Sequence, residues 1–456
     1  MYHKDTIAAI STPLGEGGIG IVRVSGPAAE EIARSFFSRK PSGGFQSHRF
    51  YYGEILDPDS GDCVDETMLV LMRAPRSYTC EDVLEIQCHG GYLIVQKVLQ
   101  LVLRAGARLA EPGEFTKRAF LNGRIDLLQA EAVIEVIRGK TEAALALAQH
   151  QREGLLSKRI AAVKEGIVTS LAFIEAYLDF PEEDIDLPGV HQIKAATQTS
   201  LQLIEELLSG FQQGKVIREG VSVLIVGKPN VGKSSLLNTL LKEKRAIVTS
   251  IPGTTRDIIE EVVNIKGLPV TLLDTAGIRD TGDEIEQEGM KLTMEKIPLA
   301  DLILFVVDAS KSFDNEDMLI MDAVLKRPFL VVANKKDLPT VLQLPEQIGS
   351  APVVAISARD GAGIEDLRTA IFERFVHGQA LDGRDFTALS QARHRDALDR
   401  SKKSLLSFLK NFAIDIPFEI AAIDLRDALH ALDEVTGETT TDDILDQIFT
   451  RFCIGK

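Results

Sequence analysis

Residues 221–241 read VSVLIVGKPNVGKSSLLNTLL, and this stretch decides the fold of the middle of the chain. Its first six residues predict a buried strand, residues 227–234 form a glycine-rich loop of the pattern GxxxxGKS, and residues 235–241 predict a helix. A strand, such a loop and a helix in this order predict a P-loop, whose backbone amides surround phosphate oxygens. The alternative is a chance glycine-rich turn, which would not require the flanking strand and helix.

Each part of the loop has a predicted task. Gly227 and Gly232 allow the backbone to wrap the phosphates, Lys233 reaches the β and γ oxygens, and the Ser234 hydroxyl binds Mg²⁺. The predicted nucleotide contacts in this loop are Asn230, Val231, Gly232, Lys233, Ser234 and Ser235.

Two further strands end in motifs that bind GTP, and the second motif selects guanine. Residues 271–277 end in DxxG, in which Asp274 holds Mg²⁺ through water and the Gly277 amide senses the γ-phosphate. Residues 329–337 end in NKxD, and the Asp337 carboxylate can accept two hydrogen bonds from guanine that adenine does not offer. GTP is therefore favoured over ATP. The predicted contacts here and in the last strand, 353–358, are Asp274, Thr275, Ala276, Gly277, Asn334, Lys335, Asp337, Ser357, Ala358 and Arg359.

The segment between the P-loop and DxxG has the position of a switch loop. Its threonines include Thr249, a predicted nucleotide contact, and Thr255, which we assign to Mg²⁺. Ile278 follows DxxG where Ras-like proteins carry the Gln that orients the attacking water. The next segment, 280–286, supplies four carboxylates, and the sequence alone gives no choice among them.

Length and composition indicate a multidomain cytoplasmic protein. A chain of 456 residues suggests about three domains, and its formal charge of −16 disfavours broad attraction to nucleic acid. No apolar run approaches the roughly 20 residues needed to span a membrane, and no signal peptide is recognisable. The four cysteines lack CxxC and zinc spacing, which is typical of reduced thiols in the cytosol.

The hydrophobic patterns divide the chain into three predicted domains. Residues 1–118 mix short strands and helices and predict an α+β domain. Residues 119–213 and 378–456 have apolar residues at helical spacing and predict one discontinuous all-α domain. Residues 216–375 predict a parallel α/β P-loop domain that is inserted into the helical one.

Several stretches resemble the MnmE (TrmE) family of GTPases, which take part in the uridine-5-carboxymethylaminomethyl modification of tRNA. The resemblance spans the whole chain. It is carried by residues 5–7 with 17–25, 113–122 (GEFTKRAFLN), 179–185 (DFPEEDI), 252–257 (PGTTRD) and 452–456 (FCIGK).

The resemblance implies a function and a set of partners. It implies an N-terminal domain that binds folate and dimerises, a helical domain, and an inserted GTPase domain. With the flavoprotein MnmG (GidA), such a protein adds an aminomethyl-type group to carbon 5 of the wobble uridine in certain tRNAs. The added carbon comes from a tetrahydrofolate derivative in the 5-formyl or 5,10-methylene form.

The resemblance also implies site residues. Glu286 orients the attacking water, and a K⁺ ion takes the place of an arginine finger between two GTPase domains. The K⁺ ligands are Asn230, Thr249, Ile251 and Thr254, largely through backbone oxygens, and the folate contacts are Arg23, Glu81, Arg124 and Lys456. Arg124 departs from the Lys that the family often carries, which keeps the charge and changes its geometry.

Alternatives remain open at this stage. Asn230 could serve only turn geometry, Arg23 could be an exposed strand charge, and Cys453 could be either a reactive or a structural thiol. His89 has no Cys or Asp partner at catalytic spacing, which favours a turn residue. The rival function is a GTP-controlled binding switch, such as a ribosome-assembly GTPase, which should carry a basic RNA-binding module.

Overall fold

The computed structural model describes residues 5–179, 189–243, 261–273, 295–349, 351–376, 388–413 and 417–456. These residues form two units, one of residues 1–134 with 429–456 and one of residues 135–428. The strands are β1 (Ile7–Ile10), β2 (Gly20–Ser25), β3 (Arg49–Leu56), β4 (Cys63–Met72), β5 (Val83–Cys88), β6 (Arg108–Leu109), β7 (Val221–Val226), β8 (Glu261–Ile265), β9 (Leu268–Leu273), β10 (Leu302–Asp308), β11 (Phe329–Asn334) and β12 (Val353–Ala355).

Helices lie before, between and after these strands. They are α1 (Ala29–Phe36), α2 (Tyr92–Arg104), α3 (Glu114–Leu121), α4 (Leu127–Arg138), α5 (Glu142–Arg152), α6 (Leu155–Asp179), α7 (Gly189–Ser209), α8 (Phe211–Glu219), α9 (Lys233–Glu243), α10 (Asn315–Val324), α11 (Ile364–Phe375), α12 (Ala392–Ala413), α13 (Phe418–Thr436) and α14 (Asp442–Phe449). Two short 3₁₀ turns cover Ile297–Leu299 and Glu346–Ile348.

The first unit is built on a six-stranded sheet of order β3-β4-β5-β2-β1-β6. Its pairings are antiparallel except that of β1 with β6, which is parallel. Alternate residues of the strands, such as Val22 and Val24 of β2, are buried against α1 and α2 in one apolar core. This arrangement confirms the predicted α+β fold of the N-terminal part.

A second apolar cluster in the first unit joins helices that are far apart in sequence. Leu127, Ala130 and Ile134 of α4 pack against Leu445 and Phe449 of α14. Gly113, just before α3, has a left-handed backbone with φ of 69°, and a Cβ there would lie 2.8 Å from the Phe449 carbonyl oxygen. The close approach of these segments therefore requires glycine at this position.

The second unit contains a six-stranded sheet of order β12-β11-β10-β7-β9-β8. Five strands are parallel, as predicted, and the edge strand β8 pairs with β9 in the antiparallel direction. The physical reason is a two-residue hairpin. Lys266 and Gly267 both have positive φ, 51° and 91°, which matches the twist of a tight hairpin turn.

Both faces of this sheet are covered by helices. Val223 and Ile225 of β7 belong to the core beneath α9 and α11, whereas the alternate residues Leu224 and Val226 belong to the core beneath α10. Strands buried on both faces read as continuous apolar runs, which is why β7 and β10 were recognisable in the sequence. The predicted P-loop α/β fold is confirmed.

Helices on either side of this sheet in sequence pack together within the second unit. The long helices α6 and α7 lie against each other, and α12 packs on α7. The predicted all-α region is confirmed as helical, whereas its division from the other two domains stays a prediction. In the described part of the chain, no helix is both long and apolar enough to cross a membrane.

The α6–α7 contact depends on one small residue. A Cβ on Gly166 would lie 2.4 Å from the Ser200 hydroxyl oxygen and 3.2 Å from the Ala196 carbonyl oxygen. The Ser200 hydroxyl is buried and donates a hydrogen bond of 3.0 Å to the Val163 carbonyl oxygen. The two helices can therefore lie this close only where α6 has no side chain.

We expect Gly166→Ala to destabilise this helix pair by about 1–3 kcal/mol, because the added methyl group overpacks the contact. Amide hydrogen exchange should show faster exchange along α6 and α7. Adding Ser200→Ala removes the nearest clashing atom, so the double variant should recover most of the lost protection. An additive loss in the double variant would contradict this account of the contact.

Candidate functional site

The P-loop lies between the end of β7 and the start of α9, as the sequence predicts, but its glycines have an additional task. A Cβ on Gly227 would lie 2.3 Å from the Val306 carbonyl oxygen of β10. Gly232 has φ of 98°, and a Cβ there would lie 2.2 Å from the Asn334 side-chain nitrogen. Neighbouring strands thus occupy the space that side chains would need, and the close packing alone demands glycine at both positions.

Asn334, at the end of β11, joins the phosphate loop to the last loop of the sheet. Its side chain is buried and donates a 2.7 Å hydrogen bond to the Val231 carbonyl oxygen. Its amide oxygen accepts a 3.0 Å hydrogen bond from the backbone N–H of Ala358. The predicted contact residues Val231, Asn334 and Ala358 are therefore held together by one amide group.

The two remaining residues of the NKxD motif are also anchored. The Ser357 hydroxyl donates a 2.9 Å hydrogen bond to Asp337, which holds that carboxylate beside the final loop. Lys335 has a left-handed backbone, with φ of 69°, and its ammonium group lies 2.7 Å from the Asp308 carboxylate. Arg359, which follows this loop, is exposed.

Asp308 was not singled out from the sequence. It ends β10, and only 4% of its side chain is exposed. Burial raises the pKa of its carboxyl, but hydrogen bonds from Lys335 and Ser310 outweigh this effect and the net pKa is lowered. An ionised aspartate thus fixes the lysine of the base-binding motif. Its position at the carboxyl end of a central strand was the available signal.

The P-loop lysines are held in different ways. The Lys233 ammonium donates to the carbonyl oxygens of Gly227 and Lys228, at 2.8 and 2.7 Å, so it lies across its own loop. Lys228 was missed in the sequence; its ammonium lies 2.6 Å from Asp314 and 2.8 Å from Asp317. These two aspartates form the capping box of α10, which ties the P-loop to that helix.

Asn230 lies at the tip of the P-loop, with φ of 62°. Its side chain is exposed. Val231 and Gly232 follow it, and α9 then begins with Lys233, Ser234 and Ser235, as predicted. Nine other predicted residues lie outside the described residues and stay predictions: Thr249, Ile251, Thr254, Thr255, Asp274, Thr275, Ala276, Gly277 and Glu286.

The four predicted folate residues lie around one loop of the first unit, Ser77 to Glu81. Arg124 donates a 2.9 Å hydrogen bond to the Ser77 carbonyl oxygen and lies 5.1 Å from the Tyr78 ring centre. Arg23 approaches the same ring, at 5.8 Å. Two cations on one aromatic ring form a basic site beside a π-face.

Arg23 is held from two further directions. Its guanidinium lies 2.8 Å from the Glu85 carboxylate of the neighbouring strand and donates a 3.1 Å hydrogen bond to the Gly455 carbonyl oxygen. Only 17% of its side chain is exposed, so the alternative of an exposed strand charge was wrong.

The 453–456 tail docks against β1. Gly455 has φ of 93°, and a Cβ there would lie 2.3 Å from the Ile10 carbonyl oxygen, so the contact requires glycine. Docking buries Lys456, and this burial, together with the nearby Arg23 charge, lowers the pKa of its ammonium group. Cys453 is exposed. The tail thus adds a third cation to the basic site.

Glu81 supplies the acidic member of this group. Its carboxylate accepts a 2.7 Å hydrogen bond from the Ser25 hydroxyl and lies 3.1 Å from the Arg118 guanidinium. Ser25 and Arg23 are two residues apart on β2, so they point to the same face of the sheet. All four predicted residues are therefore close to one another, with three cations and one anion.

His89 has a partner that the sequence did not reveal. Its Nδ1 lies 2.7 Å from an Asp65 carboxylate oxygen, and its backbone N–H donates to the other oxygen at 2.8 Å. Asp65 lies on β4, 24 residues earlier in the chain. His89 lies between β5 and α2, where the sequence predicts a turn residue, and the pairing of β4 with β5 brings Asp65 to it.

The chain is similar to proteins of one family along its whole length. The profile of the MnmE helical domain matches residues 127–453, and that of the GTP-binding protein TrmE N-terminus matches residues 6–124. The tRNA modification GTPase MnmE of Geotalea uraniireducens is 64% identical over 456 residues, with 100% of each chain covered. Its counterpart from Geobacter metallireducens is 63% identical over 457 residues, again with 100% of both chains covered.

Similarity to solved structures is more local. Aquifex aeolicus Era bound to GDP·AlF4⁻ is 30% identical, with 41% of this chain and 67% of that chain covered and a TM-score of 0.26. The similarity to these two relatives extends over the whole chain, and the two profiles match residues 6–124 and 127–453. The chain belongs to the MnmE family of tRNA modification GTPases.

Proposed function

We propose that this GTPase acts with the flavoprotein MnmG to install an aminomethyl-type group at carbon 5 of the wobble uridine in certain tRNAs. The carbon would come from a tetrahydrofolate derivative in the 5-formyl or 5,10-methylene form. The observation that carries the proposal is that one chain combines a P-loop nucleotide site with a separate site of three cations and one carboxylate. A simple GTP-controlled switch does not require the second site.

The nucleotide site has a defined division of labour. The P-loop amides and Lys233 would hold the phosphates of GTP, and Asp337, fixed by Ser357, would accept hydrogen bonds from guanine. Ser234 and Thr255 would bind Mg²⁺, for which hydroxyl oxygens are suitable ligands. When bound, Mg²⁺ neutralises charge on the phosphates.

The missing Gln after DxxG requires another device for hydrolysis. We assign the positioning of the attacking water to Glu286 and charge neutralisation to a K⁺ ion. The K⁺ ligands would be Asn230, Thr249, Ile251 and Thr254, of which Asn230 belongs to the described residues. Its exposed position at the tip of the P-loop supports this role, because a cation there would face both the phosphates and a second GTPase domain.

The second site has the charges of a folate site. A folate carries a carboxylate tail and a pterin ring with several N–H donors. Arg23, Arg124 and Lys456 would bind the carboxylates, the Tyr78 ring offers a stacking surface, and Glu81 would accept hydrogen bonds from the pterin. We propose further that the protein is a cytoplasmic homodimer, which fits the four cysteines being free thiols.

Cells that lack this protein should lose the aminomethyl-type modification from wobble uridines. Mass spectrometry of tRNA nucleosides measures this directly. The wild-type gene should restore the modification, whereas Lys233→Ala and Glu81→Gln should each fail, since they disable the two different sites. An unchanged nucleoside profile in the deletion strain would favour the rival binding switch instead.

GTP turnover should rise at least tenfold when K⁺ replaces Na⁺, because K⁺ supplies the charge of an arginine finger. Asn230→Ala should abolish this stimulation. Asn230→Gly is the matched control, since glycine accepts φ near +60° without strain and keeps the turn. If Asn230→Gly retains the K⁺ stimulation, the residue serves turn geometry alone and the K⁺ assignment is wrong.

Folate affinity should fall as pH rises through the lowered pKa of Lys456, which lies below the ordinary value of 10.5. Only the protonated amine attracts a carboxylate, so binding should take up a proton in this range. Calorimetric titration with 5-formyltetrahydrofolate at several pH values measures both effects. Lys456→Arg keeps its charge at high pH and should lose this pH dependence, whereas Lys456→Gln should bind weakly throughout. An unaltered pH profile in both variants would exclude Lys456 as the titrating group.

A further inference from the structure

One stretch of the first unit, residues 113–124 (GEFTKRAFLNGR), contacts the 77–81 loop through four of its side chains. Only the last residue, Arg124, has a proposed ligand. The side-chain contacts run from Thr116 to the Tyr78 hydroxyl at 2.9 Å, from Arg118 to Glu81 at 3.1 Å, from Asn122 to the Thr79 carbonyl at 2.7 Å, and from Arg124 to the Ser77 carbonyl at 2.9 Å. Helix α3 and the residues after it thus hold this loop in place by side-chain hydrogen bonds.

Arg118 is a buried charged member of these contacts, with 2% of its side chain exposed. Its Nη1 donates to the Asp5 carbonyl oxygen at 2.9 Å and to Glu81 at 3.1 Å. Its Nη2 donates to the Asp5 carboxylate at 2.6 Å and to Glu114 at 3.0 Å. A buried guanidinium needs such partners, and its planar fork fixes the directions in which they lie.

A second arginine completes the charge balance. Arg108 lies 2.8 Å from Asp5 and 2.7 Å from Glu114, and both carboxylates also contact Arg118. Burial raises the pKa of Glu114, but the hydrogen bonds from Arg108 and Arg118 outweigh burial and the net pKa is lowered. Glu114 and Asp5 are therefore held ionised next to Arg118, and Glu114 lies one turn of α3 before it.

These five side chains form one connected set of ion pairs. Two guanidinium groups face three carboxylates, those of Asp5, Glu81 and Glu114. Glu81 is the member that belongs to the loop. Its carboxylate oxygens are suited to accept hydrogen bonds from N–H donors of a ligand.

The orientation of Glu81 is set from both sides. The Ser25 hydroxyl donates to Oε2 at 2.7 Å, while Arg118 approaches Oε2 at 3.1 Å and Oε1 at 3.4 Å. The preceding residue, Cys80, has φ of 60°, a left-handed backbone that is uncommon for residues other than glycine. The loop therefore needs outside support to present Glu81, and α3 provides it.

We propose that Arg118 is a positioning residue for ligand recognition: it holds the Glu81 carboxylate in the orientation that accepts hydrogen bonds from the pterin ring. This inference rests on the proposed folate site and assigns a task to the 113–124 stretch. Arg118 acts through Glu81 and does not itself touch the ligand.

A double-mutant cycle tests this dependence. Calorimetric titration with 5-formyltetrahydrofolate is compared for the full-length wild type, Arg118→Lys, Glu81→Gln and the double variant. Lysine keeps the positive charge but loses the fork, so we expect about a tenfold loss of affinity. The double variant should bind no more weakly than Glu81→Gln alone. If the two losses multiply, Arg118 acts independently of Glu81 and the inference is overturned.

A fragment and a neighbouring residue serve as controls. The probe p-aminobenzoylglutamate carries the carboxylates and lacks the pterin, so Arg118→Lys should change its affinity by less than about twofold. A parallel loss for both probes would indicate general damage to the site and overturn the inference. Lys117→Met removes the neighbouring cation, which pairs with Asp446 at 2.7 Å, and should leave both affinities unchanged.

Near-ultraviolet circular dichroism and amide exchange test whether Arg118→Lys retains the fold. Should that variant unfold, Glu114→Gln replaces it, since it loosens one anchor of Arg118 and keeps both Arg118 and Glu81. Its severalfold loss of affinity should vanish in the Glu81→Gln background, and a persistent loss would overturn the inference. If the wild type does not bind 5-formyltetrahydrofolate at all, the proposed folate site itself fails.

Discussion

The nucleotide site depends on the close approach of Gly232 to the Asn334 side chain. One buried amide group bonds both the Val231 carbonyl and the Ala358 N–H, so the phosphate loop and the base loop share a single anchor. The approach is possible only because residue 232 has no Cβ. Parallel strands bring these two loops together, because the carboxyl ends of the strands lie at the same edge of the sheet.

Around this anchor, charged groups fix the parts that must not move. Asp308 holds Lys335, and the capping box of α10 holds Lys228 of the P-loop. Both lysines are thereby paired with carboxylates, and the Lys233 ammonium donates to two carbonyl oxygens of its own loop. The ion pairs of Lys228 and Lys335 join the P-loop to α10 and the NKxD motif to β10.

The first unit solves a harder electrostatic problem. It gathers Arg23, Arg124 and Lys456 around one tyrosine ring and one loop, and like charges at such proximity oppose folding. The Glu85 carboxylate pairs with Arg23, and the Arg118 guanidinium pairs with Glu81 of the loop. The unit therefore holds its three cations beside a network of ion pairs, and Glu81 belongs to that network through Arg118.

Local patterns were sufficient for the elements and the nucleotide motifs. The bounds of β7 agree with the strand predicted over residues 221–226, because a strand buried on both faces has a continuous apolar run. The P-loop and NKxD were readable because backbone conformation and nucleotide chemistry demand given residue types at short spacing, whereas the tail motif was identified only through the family resemblance. Only the tertiary structure decided the contacts between distant segments. These contacts join Asp65 with His89, Asp308 with Lys335, Gly455 with Ile10, and Arg118 with Asp5 and Glu81. A charge in a sequence does not reveal its partner, since the partner is set by which strands and helices pack side by side.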